Sequence, residues 1–199
     1  MKKPQQHQVR IVGGLWKRTP LPVPEVAGLR PTSERVRETV FNWLSHLRGT
    51  DFGRLRCLDL FAGTGALGFE AASRGVAHVT MIEENKIAFS HLEMIRQKLG
   101  ATQIVLCRSD ALKTGRQFVQ EKKQFDLIFL DPPFQKNLLP EIVPLCVALL
   151  NPAGLIYVES PTAITEEKLR LWAPDVPYLQ IMRAGKAGHV HYHLLEMTA

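Results

Sequence analysis

The sequence predicts an α/β protein with a doubly wound, mostly parallel sheet of seven strands, in which the last strand runs antiparallel to the others. Three observations lead to this fold class. From residue 55 onward, short apolar runs rich in β-forming residues alternate with helical patterns. A glycine-rich loop, GTGALG at 63–68, follows the first of these runs. Only a short stretch around GKAG separates the final two runs, so they must pair as a hairpin.

The same patterns assign each element in chain order. Strands buried in a parallel sheet are continuous apolar runs, and FDLIFL at 125–130 is the clearest example. Two helices end where a glycine follows the last periodic residue, at Gly75 and Gly100. The predicted strands are 56–61, 77–82, 104–107, 125–130, 154–159, 178–183 and 189–197, and the predicted helices are 66–73, 85–99, 111–120, 138–150 and 164–172.

The first 50 residues differ from the rest of the chain. We predict a basic N-terminal arm and helix at 1–50, packed on a core domain at 51–199. Within the first part, 9–12 is a candidate strand and 21–31 is proline-rich and irregular. Thr32 or Ser33 is placed to cap a helix that runs to about residue 47. A chain of 199 residues with 45% hydrophobic residues is long enough for one well-buried core.

The positive charge is concentrated in the same N-terminal region. Residues 1–56 contain 11 basic and 4 acidic side chains, whereas residues 57–199 contain 14 and 15, so the first quarter carries the whole net charge of +6. Trp16, Phe41 and Trp43 lie among these basic residues. This mixture suits phosphates and stacked bases. A solvated helix face beside a basic tail would produce the same counts and stays open.

Hydropathy predicts no membrane protein. The apolar run at 142–150 is too short to cross a bilayer and contains Pro144. The first residues, MKKPQQHQ, have no apolar segment behind them, so they predict neither a signal peptide nor a transit sequence. We therefore expect a cytoplasmic protein.

The cysteines and histidines do not predict a metal site. The three cysteines are far apart in apolar runs and form no CxxC pair, so we expect them to be core residues. Three histidines alternate along the last predicted strand and would face one side of it. No cysteine or carboxylate joins them at a useful spacing, so a strand side facing solvent or RNA explains them as well as a metal would. These residues are Cys57, Cys107, Cys146, His189, His191 and His193.

The first predicted strand leads into a candidate nucleotide site. Glycines at this turn let backbone N–H groups approach a ligand closely. The loop matches GxGxxG, and Glu83 lies twenty residues after Gly63, where a ribose-binding carboxylate is expected, so the pattern resembles a dinucleotide site. Asp59 decides between ligands, because a buried carboxylate would repel a pyrophosphate but favour the cationic groups of S-adenosylmethionine.

Two further loops are expected at the same edge of the sheet. After the third strand, Asp110 can accept a hydrogen bond from an adenine amino group and the Ala111 N–H can donate to the ring. Asp110 is equally suited to cap the helix that follows. Because parallel strands open their carboxyl-end loops on one edge, we expect Asp59, Gly63, Glu83, Asp110 and Asp131 to converge.

The fourth predicted strand is followed by Asp131, Pro132, Pro133 and Phe134, which carry the most informative chemistry in the chain. A carboxylate and a rigidly presented carbonyl can accept the two N–H bonds of an aromatic amino group and aim its lone pair outward. The prolines fix φ and offer no competing N–H. Phe134 supplies a stacking face for an extruded base. A simple chain reversal after a strand is the alternative.

At this point the chain resembles a known family. Residues 55–160 are similar to class I S-adenosylmethionine-dependent methyltransferases, which have a Rossmann-like fold, and DPPF resembles the loop of amino-group methylases acting on DNA or RNA. RIVGGLW at 10–16 and LRPTSERVRETVFNWL at 29–44 resemble the bacterial 16S ribosomal RNA (guanine-N2) methyltransferase family. That family tends to have a longer basic cluster after the tryptophan, whereas here Lys17 and Arg18 are followed by Thr19 and Pro20.

The resemblance implies a cofactor, a partner and a role for each candidate residue. The cofactor is S-adenosylmethionine, and the partner is ribosomal RNA within the small subunit or an assembly intermediate. The implied cofactor-binding residues are Asp59, Ala62, Gly63, Gly65, Glu83, Asp110, Ala111, Arg30 and Thr32. The implied acceptor-base residues are Asp131, Pro132, Pro133 and Phe134, and the implied RNA-binding residues are Arg10, Lys17 and Arg18.

Three alternatives remain at the level of sequence. A nicotinamide-dependent oxidoreductase would use GTGALG and Glu83 but would leave Asp59 and DPPF without a purpose. A non-catalytic RNA chaperone would use only the basic arm. Adenine in DNA or another RNA is the nearest competing substrate, since DPPF recognises an amino group rather than a particular base.

Overall fold

The computed structural model describes residues 8–174, 176 and 179–197. The strands are β1 (Gln8–Arg10), β2 (Pro20–Pro22), β3 (Arg56–Asp59), β4 (His78–Ile82), β5 (Ile104–Cys107), β6 (Phe125–Leu130), β7 (Leu150–Ser160), β8 (Leu179–Ala187) and β9 (Val190–Met197). The helices are α1 (Glu34–Arg48), α2 (Ala66–Ser73), α3 (Lys86–Leu99), α4 (Ala111–Gln120), α5 (Leu139–Ala148) and α6 (Glu166–Trp172), with a 3₁₀ turn at Phe134–Lys136.

Seven strands form one sheet in the order β5-β4-β3-β6-β7-β9-β8. Strands β3 to β7 pair in parallel, and β9 is antiparallel to both β7 and β8. The predicted fold class is confirmed, including the reversed last strand. Because the chain builds outward from β3 to β5 and then returns to place β6 on the other side of β3, a crevice opens between the carboxyl ends of β3 and β6.

Helices cover both faces of the sheet and bury a separate apolar cluster on each. On one face, Phe41 of α1, Phe69 of α2 and Leu92 of α3 are fully buried. On the other, Ile142 of α5 and Leu169 of α6 contribute to the second cluster. Covering on both faces explains why the central strands are apolar throughout rather than alternating.

The N-terminal arm joins the first of these clusters. Val9, Ile11 and Leu21 are buried in it together with α1. Strand β2 was not predicted, because its sequence Pro-Leu-Pro lacks most backbone donors, yet it pairs antiparallel with β1 in a separate two-stranded sheet. The boundary at residue 50 stays a prediction.

One buried guanidinium ties the arm to the core. Arg37 of α1 donates to Glu70 Oε2 at 2.9 Å, to the Arg10 carbonyl at 2.6 Å and to the Thr32 carbonyl at 3.2 Å. The Glu70 carboxylate also accepts the N–H groups of Val12 and Gly13. Both charged side chains are fully buried. We call this group of contacts, completed by Arg74 Nε on Glu70 Oε1 at 2.7 Å, the Arg37–Glu70 hub.

The histidines do not line up on an exposed strand side. His189 lies in the turn before β9, whereas His193 is buried and its Nε2 accepts the Ile164 N–H at 3.2 Å. The interpretation that all three share a strand side facing solvent or RNA is therefore wrong for His189, which lies outside the strand, and for His193, which is buried. Within the described ranges, no group of three metal-binding side chains occurs. In the same ranges, no helix is long and apolar enough to span a membrane.

His193 makes stability depend on pH. Burial lowers the pKa of His193 to about 4, from about 6.5 in an unfolded chain. The unfolded state therefore binds a proton between these values while the folded state does not, and stability falls as pH decreases through that window. Lowering the pH from about 7 to about 5 should reduce the free energy of unfolding of the wild type by about 2 kcal/mol more than that of His193→Gln, as measured by urea unfolding. His78→Gln, at an exposed position on β4, is the control. Identical pH dependence in His193→Gln and wild type would contradict this.

Candidate active site

A cleft of about 600 Å³ lies at the carboxyl edge of the sheet. The loops after β3, β4, β5 and β6 form its walls, as the convergence of the motifs predicts. Residues 26–32, which we call the covering segment, line it from the N-terminal side. The predicted site residues among its lining are Arg30, Thr32, Asp59, Ala62, Gly63, Glu83, Asp110, Ala111, Asp131, Pro132, Pro133 and Phe134.

The glycine loop is held by two carboxylates. Asp59, at the end of β3, is 2% exposed and accepts the Gly68 N–H at 3.1 Å. Burial raises the pKa of Asp59 to about 7. Glu83 accepts the Gly63 N–H at 2.8 Å and the Asn85 N–H at 2.7 Å, while burial raises its pKa as well. A cation bound in the cleft would therefore stabilise the ionised forms of these two carboxyl groups.

The two glycines of the loop have different positions. Gly63 has φ of 54° and lines the cleft, and a Cβ there would lie 3.0 Å from Leu29 of the covering segment. Gly65 has φ of 80° and lies beneath the loop, where a Cβ would come within 2.5 Å of Phe69 and 2.7 Å of Leu92. Gly65 is therefore required for packing at the start of α2, and it is absent from the cleft lining.

The third loop serves as a helix cap and as a wall of the cleft. The Asp110 side chain accepts the Lys113 N–H at 2.8 Å, so the capping alternative is realised. Asp110 is exposed and lines the cleft together with buried Ala111. Across the cleft, Lys136 Nζ lies 3.0 Å from Glu84 Oε1 and joins the turn after β6 to the loop after β4.

The DPPF motif forms a tight turn at the opposite wall. Pro132 is buried, Pro133 is exposed, and Phe134 begins the 3₁₀ turn with its ring half-buried. Burial raises the pKa of Asp131 well above its ordinary value, and the negative charges of Glu159 and Asp59 act in the same direction. The Arg30 charge and a hydrogen bond from Thr32 act in the opposite direction.

Register places a third acid beside Asp131, and the sequence interpretation missed it. Asp59 pairs with Phe129, Phe129 pairs with Tyr157, and Leu130 pairs with Val158. The next pair in this register is Asp131 with Glu159, and aligned residues of parallel strands point to the same face. The signal that could have found Glu159 was an acidic residue at the end of an apolar strand.

The covering segment reaches this row of acids. Thr32 Oγ1 donates to Glu159 Oε1 at 2.8 Å, and Arg30 Nη2 lies 3.6 Å from Glu159 Oε2. The Arg30 guanidinium also lies 4.4 Å from the centre of the Phe134 ring. The structure thus brings Arg30 and Thr32 to the DPPF side of the cleft.

The basic residues of the arm do not line the cleft. Lys17 and Arg18 are exposed in the loop between β1 and β2, which is fastened to Ser73 at the end of α2. The glycine loop lies at the other end of that helix, about 12 Å away for its eight residues. The backbone N–H of Arg10 donates to Glu34 near the start of α1.

Comparison with known proteins identifies the family. Residues 9–196 match the family described as Conserved hypothetical protein 95. Ribosomal RNA small subunit methyltransferase D of Escherichia coli (strain K12) is 38% identical over 205 residues, covering 100% of this chain and 96% of that protein. The chain belongs to this family. Another member, Ribosomal RNA small subunit methyltransferase D of Haemophilus influenzae, is 38% identical and covers 95% of this chain and 94% of its own length.

Family membership extends to the fold. The solved structure of yhhF from Escherichia coli superimposes with a TM-score of 0.79 at 38% identity, covering 97% of this chain and 99% of that one. The match includes the N-terminal arm as well as the sheet. The resemblance predicted from the sequence is confirmed.

Proposed function

We propose that this protein transfers the methyl group of S-adenosylmethionine to the exocyclic amino group of a guanine in 16S ribosomal RNA. The observation that carries the proposal is the position of Asp131 in the same cleft as the glycine loop and Asp59. One wall of the cleft suits a cationic nucleoside and the other suits an amino group on an aromatic ring. Relatives that match over 95–100% of the chain are named as small-subunit ribosomal RNA methyltransferases.

The residues present fit S-adenosylmethionine. Asp59 and the Gly63 loop would hold its methionine part, because a nearby cation stabilises an ionised carboxylate most strongly when the carboxylate is shielded from water. Glu83 would accept the ribose hydroxyls, and Asp110 with the Ala111 N–H would bind the adenine. When bound, this cofactor supplies a methyl group on a positively charged sulfur.

The acceptor wall would orient the base. The Asp131 carboxylate and the Pro132 carbonyl would accept the two amino N–H bonds, so that the nitrogen lone pair points into the cleft. Phe134 would stack on a base that has left its helix. As positive charge develops on the nitrogen, Asp131 would stabilise it and take a proton.

The basic arm would bind RNA away from the cleft. Arg10, Lys17 and Arg18 would contact phosphates, which contributes affinity but little sequence discrimination. Because the loop that carries Lys17 and Arg18 lies about one helix length from the glycine loop, the bound RNA would have to span that distance. A structured region of the small subunit or of an assembly intermediate meets this requirement.

Methyl incorporation tests the proposal. Small-subunit ribosomal RNA and assembled particles, both from a strain that lacks this enzyme, are incubated with the protein and labelled S-adenosylmethionine, and the nucleosides are separated by mass. We expect N2-methylguanosine. Label in methyladenosine, or no label in either substrate, would contradict the proposal.

The pKa of Asp59 gives a test of the cofactor site. Because that pKa is about 7, Asp59 ionises as pH rises through neutrality, and binding of a cation should strengthen over the same range. We expect Asp59→Asn to bind S-adenosylmethionine roughly tenfold more weakly above about pH 8, with most of the pH dependence lost, as measured by calorimetry. Asn retains an acceptor for the Gly68 N–H, so folding should be kept. Unchanged affinity would exclude Asp59 from the site.

A further inference from the structure

Glu159 is a buried acid that the proposed reaction has not yet used. It is 3% exposed and lies on β7, one residue beyond the Leu130–Val158 pair, and its charge acts on Asp131, which is one residue beyond the end of β6. Its Oε1 accepts two hydroxyl donors, Thr32 Oγ1 and Tyr157 OH, both at 2.8 Å. Two such donors fix the position of the carboxylate. Burial raises the pKa of Glu159, whereas these two hydrogen bonds and the Arg30 charge lower it and so favour a negative charge beside Asp131.

Arg30 connects Glu159 to the acceptor wall. Its guanidinium lies 3.6 Å from Glu159 Oε2 on one side and 4.4 Å from the centre of the Phe134 ring on the other. Half of the Arg30 side chain is exposed, so packing alone does not fix the position of its guanidinium. Glu159 thus determines where a cation lies against the ring that would stack on the base.

We propose that Glu159 is a positioning residue for methyl transfer: it holds Arg30 and Thr32 against the DPPF turn, and its negative charge beside Asp131 favours movement of the amino proton to Asp131. This inference rests on the proposed function and adds a residue to it. Glu159 would act through its neighbours without touching the base, since it is absent from the residues that line the cleft.

The charges around Asp131 determine the direction of the effect. The charged and titratable groups that face the Asp131–Glu159 pair come from three strands and the covering segment: Asp59 of β3, Tyr157 of β7, Tyr192 of β9, and Arg30. Burial and the Glu159 charge raise the pKa of Asp131, whereas Arg30 lowers it. Removing the Glu159 charge should therefore weaken Asp131 as a proton acceptor, and removing Arg30 should strengthen it.

The proton balance of the step is simple. The guanine nitrogen forms a bond to the methyl carbon, the carbon–sulfur bond breaks, and sulfur keeps that electron pair and becomes neutral. The nitrogen then carries one proton too many, which passes to the Asp131 carboxylate. Glu159 takes no part in bond making, and its charge beside Asp131 makes that transfer more favourable.

Single-turnover rates against pH test the inference. In Glu159→Gln, both hydroxyl donors keep an oxygen acceptor, so the fold should be retained. We expect a rate roughly ten- to a hundredfold lower, S-adenosylmethionine affinity within about twofold of wild type, and an acid limb of the profile at lower pH. Glu167→Gln, an exposed position on α6, should match wild type in both rate and profile.

Arg30→Met should shift the acid limb of the pH–rate profile in the opposite direction. It should also slow the reaction, but its acid limb should move to higher pH, because the lost cation no longer favours the ionised form of Asp131. A wild-type rate in Glu159→Gln, or a slow rate with an unmoved acid limb, would overturn the inference. If Glu159→Gln fails to fold, Glu159→Asp replaces it: this variant keeps the charge but withdraws the carboxylate from Thr32 and Arg30, so a wild-type rate would overturn the inference. Failure of the wild type to form N2-methylguanosine would overturn the proposed function instead.

Discussion

Replacing Asp131 with alanine is expected to slow methyl transfer at least a hundredfold while nearly preserving the affinity for S-adenosylmethionine. The loss of one oriented interaction with a developing charge costs about 3 kcal/mol or more of barrier. Asp131 lies on the DPPF wall, whereas Asp59 and Glu83 lie on the glycine-loop wall, so the effects on rate and on cofactor binding should separate. Single-turnover assays and calorimetry measure the two quantities.

Two further variants sharpen this test. Asp131→Asn keeps an acceptor oxygen but loses the charge and the ability to take a proton, so it should remain severely slowed. Glu141→Ala removes an exposed carboxylate of α5 that lies outside the cleft, and it should keep the wild-type rate. A wild-type rate in Asp131→Ala would remove Asp131 from the mechanism.

Breaking the Arg37–Glu70 hub is expected to cost about 3–5 kcal/mol of stability. Glu70→Ala would leave the Arg37 guanidinium fully buried without its counter-charge and would also remove the acceptor of the Val12 and Gly13 N–H groups. Burial already lowers the pKa of Arg37, and the Glu70 charge opposes that shift. Urea unfolding measures the loss.

An exposed ion pair serves as the comparison. Arg116 and Glu141 pair on the surface with about half of each side chain exposed, so Glu141→Ala should cost no more than about 1 kcal/mol. The double variant Arg37→Met with Glu70→Ala should be more stable than Glu70→Ala alone, because it removes the stranded charge. Equal losses in Glu70→Ala and Glu141→Ala would contradict the role of the hub.

Local signals made much of the fold predictable. The predicted bounds of α2, α4, β5 and β6 agree with the structure, because a glycine and a capping aspartate mark the starts of the two helices and apolar runs mark the two strands. Strand β7 is longer than predicted and starts at Leu150, since Pro152 and Gly154 hide its beginning. Strand β8 extends through most of GKAG for a similar reason, which leaves only Gly188 and His189 between it and β9.

The parts of the site that the sequence did not predict depend on contacts between residues far apart in the chain. The convergence of Asp59, Gly63, Glu83, Asp110 and Asp131 follows from parallel topology alone, and the structure brings them to one cleft. The position of Glu159 depends on register between strands separated by the 19 residues 131–149, which a local pattern does not contain. The burial of Gly65 and the distance of Lys17 and Arg18 from the cleft depend on packing around α2.

The Arg37–Glu70 hub makes the arm and the covering segment inseparable. The Arg37 guanidinium donates hydrogen bonds both to the Arg10 carbonyl of the arm and to the Thr32 carbonyl of the covering segment. A truncated protein that begins after Arg10 would thus lose basic charge. It would also lose one of the hydrogen bonds that hold Arg37, which in turn binds the Thr32 carbonyl of the covering segment. Truncation would therefore change the proposed RNA-binding arm and the proposed acceptor wall together, whereas single side-chain changes at Lys17 or Arg18 on the exposed loop would change the arm alone.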